Sequence, residues 1–516
     1  VKTTEALLAH SNKVFEGQAV VQSLWQTLAV HFYPHRADFT HVRNLGQDIS
    51  DELIDSYPVL MRRDLGNAIG AMLRDGADWF DIGVRGGSGW DGRMWLEDAT
   101  NVLRRSMAER TSGFMRSAKE ADHDYITFGQ AVMSHEPRRD RKGLLYRCWH
   151  LRDCAWVDGP DGQVQEVHRK WKPTASLLKK IFGDKVHRTT IDACSSNHGM
   201  QEIEVRHIFM MSEDYGKDDF SRFRYVSAFI DVKNHHVIEE VGINYRYYTV
   251  PRFQTISGSP YAYSAATMAA LPNARMLQAM THTLLEAAER VARPPIVATQ
   301  RAVRSDIDLG PDAITWVDND YDEKLGASLR PLYSDKSGFP IGQHMRESVV
   351  DILGKAFFLD KLNLPSVGRE MTAYEVSERM KQYRREALPL FAPIESDYNG
   401  QIVEASFEIA MQFGMLGSVE DIPLELQGSE TEYKFKSPLA SQEDEKKAQQ
   451  FSHVSQLLGE AAQVDPGVRH NIDFDTAFRD AVNATGAPTR WIKDVQAVEQ
   501  GRIGDALQQA AETQVA

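Results

Sequence analysis

The stretch Met371–Phe391, MTAYEVSERMKQYRREALPLF, decides how the chain is read. Thr372 stands three residues before Glu375, the spacing of a capping box, in which a hydroxyl and a carboxylate satisfy free backbone N–H groups at a helix start. The spacing predicts a helix from Ala373. Val376, Met380, Tyr383, Ala387, Leu390, Ile394, Tyr398, Ile402, Ala405, Ile409 and Phe413 then recur at steps of mostly four and three, forming one apolar stripe. The other face carries Glu378, Arg379, Lys381, Arg384, Arg385 and Glu386. Unbroken, the helix would be about 60 Å long. Pro389 and Pro393 forbid a straight one, since each removes a helix hydrogen bond at a cost of about 3 kcal/mol. A kink or split near 388–393 is expected, with a loop over 359–372 in front. On physics alone this is a bent core helix.

Upstream, residues 1–120 read as mainly helical. LMRRDLGNAIGAMLRDGADWFDI (60–82) has helical spacing and stops near Gly76 and Trp79-Phe80, RGGSGW (85–90) is a glycine-rich loop, and helical periodicity resumes at 96–118. From about Ile126 the period shortens. LLYRCWHLRDCAWV (144–157) is strand-like, DGPDGQ (158–163) is a turn, and VQEVHRKW completes a hairpin. TASLLKKIFG (174–183) is a short helix, and four strand-like runs rich in Tyr, Val, Ile and Phe follow up to Phe253. The central part is therefore α/β or α+β with antiparallel pairing. Residues 262–292 return to helix composition apart from Pro272, and Pro294-Pro295 stop it. A small acidic segment leads to a second helical stretch at 342–358. After the irregular run 414–438, the end from Ser441 is helical again.

The whole chain sets bounds. Its 516 residues allow roughly three or four domain-sized units. No apolar run suggests a membrane span, and the start has no signal-peptide core, so synthesis inside the cell is expected. Cys148, Cys154 and Cys194 are too few for a disulfide framework and read as reduced thiols. With 59 Lys and Arg against 73 Asp and Glu, the net charge is −14, which argues against adhesion to DNA over the whole surface.

Chemistry-bearing motifs are weak. Cys148, His150 and Cys154 would share a face of one strand, with Cys194 and His198 as further ligands, but their spacing is not that of a zinc site. His235-His236 with Glu239-Glu240 has metal-site composition but falls in a hairpin turn. RGGSGW lacks the order of a phosphate-binding loop, and no nucleophile elbow or H-E-x-x-H occurs. No catalytic residue, metal or cofactor is assigned, which favours a structural or binding role.

The order of features resembles the head-to-tail connector (portal) proteins of T7-like short-tailed bacteriophages. The resemblance rests on MLRDGADWFDI, HDYITFGQAVM (123–133), the hairpin and helix of 158–183, YTVPRFQTISGSPYAYSAATMAALPNARMLQAMTHTLLEAAERVARPP (248–295), and the block from Glu370 to Leu416. The family's Y-G-x-S-P is here Tyr261-Ala262-Tyr263-Ser264-Ala265, with Gly and Pro both replaced.

The resemblance implies an α+β multidomain portal fold, mainly helical, with an α/β wing, an antiparallel helical stem, a small α/β clip and a helical C-terminal crown. The wing would take 1–255, the first stem helix 256–293, the clip 294–340, the second stem helix 341–358, the tunnel loop 359–372, the kinked helix and wing return 373–439, and the crown 440–516. It implies a homo-dodecameric ring at one capsid vertex, through which double-stranded DNA is packaged and ejected. Implied partners are the terminase large subunit, a tail adaptor, the major capsid and scaffolding proteins, and internal core proteins, with no membrane. The ring would belong to the virion and be assembled in the bacterial cytoplasm. Twelve copies at −14 each would carry roughly −170, a sign that favours sliding of DNA over adhesion. Lys355, Lys361 and Arg369 are the candidate channel cations. Asp306, Asp308, Asp312, Asp318, Asp320, Asp322 and Glu323 mark the clip face. Two other readings stay open: a soluble enzyme or nucleotide-binding protein built on the α/β region, or another virion subunit such as a capsid or tail-adaptor protein.

Overall fold

The computed structural model describes residues 3–41, 47, 53–74, 76–85, 88–196, 198–292, 296–298, 329–331, 338–359, 394–435, 441–464, 466–485, 487, 489–495 and 497–504. Chain contacts divide it into two units. The larger takes 1–24, 64–264 and 361–516; the smaller takes 25–63 and 265–360.

Helices α1 (Thr4–Phe32) and α2 (Tyr57–Leu73) supply residues to both units. In the larger unit follow β1 (Phe80–Val84), α3 (Trp90–Ala108) and α4 (Phe114–Phe128). Next come β2 (Val132–Pro137), β3 (Leu144–Trp149), β4 (Cys154–Asp158), β5 (Val164–Trp171), α5 (Ala175–Phe182) and α6 (Arg188–Ser195). Then β6 (Val205–Met211), the single turn α7 (Ser212–Tyr215), β7 (Tyr225–Asp231), β8 (His236–Ile243) and β9 (Tyr248–Thr249) complete the central region.

Strands β4-β5-β6-β7-β8 form a five-stranded sheet in sequence order, antiparallel throughout. Alternation along each strand gives it two covered faces. On one, Leu7 and Leu8 of α1 pack with Ile208, Met210, Val226, Ala228 and Ile230. On the other, Leu178, Phe182 and Val186 meet Val205 and Ile238. Thr174 caps α5 by accepting from the N–H of Leu177, and Gly183 ends it at φ +63.

A three-stranded sheet, β3-β2-β9, lies under α4, whose second half is wholly buried. The change from helical to strand-like period, read at about Ile126, comes a few residues later in the structure. His123–Phe128 is the buried end of α4, and the strand begins at Val132. Gly129 makes the change of direction: it sits at φ +80, and a methyl group there would run into the backbone of Tyr263 and Ser264.

The two cysteine-bearing runs also part company. A short 3-10 turn at Leu151–Asp153 separates β3 from β4, which belong to different sheets. Cys148, His150 and Cys154 therefore do not line one strand.

The smaller unit centres on two helices, α8 (Ala265–Ala292) and α9 (Gly338–Ala356), with β10 (Ile296–Ala298) and β11 (Leu329–Pro331) paired antiparallel between them. The helix α8 runs through Pro272. Back in the larger unit, Glu395–Gly400 forms a π-helix continuing into α10 (Gln401–Gln412). Ile394, Tyr398, Ile402, Ala405 and Ile409 are all buried, so this end of the apolar stripe faces a core. Phe413, just past the end of α10, is half-buried; Val376, Met380, Tyr383, Ala387, Leu390, Pro389, Pro393 and the loop 360–372 lie outside the described residues. The chain then forms β12 (Thr431–Phe435), α11 (Ser441–Val464) and α12 (Phe474–Ala484). Strand β12 pairs with β1, Phe435 opposite Phe80. Among the described residues, no helix is long and apolar enough to cross a membrane.

Candidate functional site

In the smaller unit the order of contacts shows that α8 and α9 run in opposite directions. Gly342 faces Leu284: a methyl on Gly342 would lie 2.7 Å from Leu284 Cδ2. One turn further along α9, Arg346 meets Asp55 Oδ2 at 2.6 Å, and Thr281, one turn back on α8, donates to the same oxygen at 3.2 Å. Gln278 completes the clamp. Its carbonyl oxygen accepts from the N–H groups of Ile54 and Asp55 at 2.9 Å each, and its amide donates to Asp55 O. Ala274, Leu277, Leu353 and Phe357 are fully buried, and Phe357 meets the Phe32 ring edge-on at 5.6 Å.

The outside of the pair is different. Met268, Met276, Leu285, Ile341, Met345 and Ile352 are exposed. Formal charge cancels: Arg275, Arg290, Arg346 and Lys355 stand against Glu286, Glu289, Glu347 and Asp351. Two cations are paired within their own helix, Arg290 with Glu286 and Lys355 with Asp351 at 3.0 Å. Such exposed pairs stabilise little, but they leave the surface with neither a basic nor an acidic stripe. Of the candidate channel cations, only Lys355 is among the described residues, in the last turn of α9. Lys361, Arg369 and the seven acidic residues of 306–323 lie outside them.

In the larger unit, the segment preceding α8 is locked by the α4–β2 corner. Gln130 Oε1 accepts from Ala262 N at 2.8 Å, Ser264 Oγ donates to Ile126 O, and Phe253 N donates to Gly129 O at 2.8 Å. Ala262 and Ser264 are buried. The Tyr261–Ala265 turn thus forms without the family's Gly and Pro, held by side-chain bonds from a neighbouring motif.

A second polar knot sits at the π-helix. The Arg74 guanidinium is buried, paired with Asp122 and bonded to Asn399 Oδ1 at 2.9 Å, and it lies 5.4 Å from the centre of the Tyr398 ring. Asn399 returns its amide to Leu73 O. Burial works against the charge on Arg74, but the Asp122 carboxylate and Tyr398 together more than offset it and raise the pKa. Close by, a methyl on Gly70 would lie 2.9 Å from Asp122 Oδ2, so α2 approaches α4 through a glycine. These groups are buried and make their bonds to one another; none is placed for chemistry on a substrate.

The metal motifs weighed from sequence do not assemble. Cys148 Sγ faces Asp124, His150 accepts from Arg152 N, and Cys154 is buried with its thiol pKa pushed up by desolvation. His236 bonds Lys185 O, Glu239 pairs with Lys185, and Glu240 with Lys217 and Tyr215. The glycine-rich loop binds an anion of its own chain: the N–H groups of Gly89 and Gly92, at the start of α3, donate to Glu425 at 3.0 and 2.7 Å.

Sequence reading missed a different group. His10 of α1 and Glu166 and His168 of β5 converge, with His10 Nε2 at 2.8 Å and His168 Nε2 at 2.5 Å from the same oxygen, Glu166 Oε1. Among the described residues it is the only such trio of His, Cys, Asp and Glu ligand atoms within 4.8 Å of one another. Burial lowers the His168 pKa and outweighs the pull of Glu166. For Glu166 the balance is reversed: burial opposes the charge, yet the imidazole bonds hold it below the usual carboxylate range. His10 and Glu166 lie 156 residues apart, and no local spacing signals the meeting.

Comparison with known proteins bears on the chain as a whole. It is 21% identical over 550 aligned positions to the portal protein of Salmonella phage epsilon15, spanning 99% of this chain and 95% of that one. A solved chain from the neck of an empty GTA particle, computed with C6 symmetry, aligns over 78% of this chain and 90% of its own at 10% identity and a TM-score of 0.37. A sequence model of the family described as bacteriophage head to tail connecting protein matches residues 5–492. That match runs almost from end to end, and the chain belongs to the bacteriophage head-to-tail connecting protein family.

Proposed function

We propose that this chain is the portal subunit of a short-tailed, T7-like phage: twelve copies form a ring at one capsid vertex, and double-stranded DNA enters and leaves through its central channel. The observation that carries the reading is the family match over residues 5–492, supported by similarity to a phage portal protein along nearly the full chain. The protein is a conduit and docking platform, and ATP hydrolysis belongs to a separate terminase motor.

In this reading α8 and α9 are the stem. Their exposed Met268, Met276, Leu285, Ile341, Met345 and Ile352 become buried against neighbouring copies, and their cancelled charge lets DNA pass without adhering. The segment between the stem helices is the clip. Its acidic residues, Asp306 to Glu323, face the terminase and later the tail adaptor. The wing and crown meet capsid, scaffolding and internal core proteins. Lys355, Lys361 and Arg369 guide or brake the phosphates at the tunnel loop.

Negative-stain images of the purified protein test the reading. Rings with a central hole wide enough for duplex DNA are expected; only compact particles under several assembly conditions, or ATP hydrolysis by the pure protein, would count against it. Replacing Lys355, Lys361 and Arg369 together by Gln tests the channel cations. Rings should form, while packaging or retention of DNA changes.

A further inference from the structure

The meeting of α1 with β5 points to a site that the conduit role does not require. Glu166, His168 and Lys170 alternate onto one face of β5, and α1 lies across that face. Leu7 and Leu8 anchor the helix over β6 and β7. Further along, Phe15 receives Lys170 at 4.0 Å and Arg206 at 4.8 Å, and Arg206 also donates to Ser11 Oγ. His10 falls between these contacts. Its Nε2 is aimed at Glu166 Oε1, and its ring meets that of His168 edge-on at 5.6 Å.

We propose that His10 Nε2, Glu166 Oε1 and His168 Nε2 bind one divalent transition-metal ion, of which Zn2+ is the type, and that the ion pins the N-terminal helix to the sheet. Two imidazoles and a carboxylate are a zinc donor set, and a fourth position is left for water on the side where His10 is 37% exposed. Bonds of about 2.0–2.1 Å put tetrahedral ligand atoms about 3.3 Å apart. The observed 2.5 and 2.8 Å contacts therefore need a small opening. The part-exposed His10 and the rotatable Glu166 carboxylate can supply it. His168 directs its one satisfied polar edge at this point. Its Nδ1, fully buried, has no hydrogen-bond partner. Hard cations such as Mg2+, which prefer all-oxygen shells, do not suit this set.

The test uses the full chain, stripped with a chelator and titrated with Zn2+ alone by calorimetry, with metal counted after gel filtration. One zinc per chain is expected, together with a rise in melting temperature on adding the metal. His10→Gln and Glu166→Gln should each weaken binding by at least about 10-fold, since losing even a supporting partner of a metal ligand costs that much. His10 is the more informative position, because its part-exposed side chain can change without opening the core. Mg2+ at the same concentration should leave both binding and melting unchanged. Failure of the stripped wild-type chain to take up stoichiometric zinc overturns the proposal. So does unchanged affinity in both variants, or equal binding of Mg2+.

Discussion

The two units of the chain dispose of their side chains in opposite ways. In the larger, charged and polar side chains are taken inside in bonded sets: Arg74 has Asp122 and Asn399, and His207 has Tyr248 and Ser227. In the smaller, a narrow seam of Ala274, Leu277, Leu353 and Phe357 is buried, while six large apolar side chains of the helix pair stay exposed. The difference teaches where a single copy is complete. The first unit closes its core around bonded charge. The exposed apolar side chains of the second are the surface that the proposed ring would cover.

The sharpest way to break that contrast is to damage the core of the first. Arg74→Met leaves Asp122 buried without its cation and should cost about 3–5 kcal/mol in denaturant unfolding. The double change Arg74→Met with Asp122→Leu should recover much of that loss, because no unpaired charge remains. Gly129→Ala comes next. It combines a left-handed backbone with a clash at Tyr263–Ser264 and should cost about 2–4 kcal/mol.

A smaller effect depends on pH. Burial, with repulsion from Glu404, raises Glu408 to about 7, against the pull of Arg224 and the Arg246 N–H. Its folded pKa lies above the unfolded one, so its favourable contribution is complete below about 4.5 and lost as pH rises through 7. Glu408→Gln should therefore stabilise the protein at pH 8 relative to pH 5 by about 1–2 kcal/mol, read from melting curves at the two pH values. The smallest effect on the single chain is expected on the open face of the helix pair. Met276→Gln with Ile352→Gln should move monomer stability by less than about 0.5 kcal/mol while ring yield falls in gel filtration and images. A large loss of monomer stability with intact rings would reverse the assignment of that face.

Much of the fold was legible in local pattern. The DGPDGQ turn, the short helix at 174–183, the strand runs of 203–253 and the buried end of the apolar stripe at Tyr398, Ile402 and Ile409 follow from periodicity and turn chemistry. The errors came where tertiary packing outweighed local composition. The change of period read at about Ile126 falls inside helix α4, which runs to Phe128, and the Leu151–Asp153 turn breaks a run that parity had treated as one strand. The contacts of the candidate site were not legible at all. Glu425 reaching the loop at Gly89, Asp55 joining α8 to α9, and His10 meeting Glu166 each link residues more than a hundred positions apart.

The pairing of β1 with β12 has a consequence for how the chain is made. Phe80 waits for Phe435, so 435 − 80 = 355 residues must emerge before the ladder closes and Phe435 stacks on Trp79. At the usual rate of synthesis, roughly 5–20 residues per second, that interval is about 20–70 s. For that time Trp79 and Phe80 lack this cover while the five-stranded sheet can already form. This closure within the larger unit thus comes only after the helix pair has been synthesised. A nascent copy has more apolar surface open than a finished one, and so a reason to be shielded until β12 arrives.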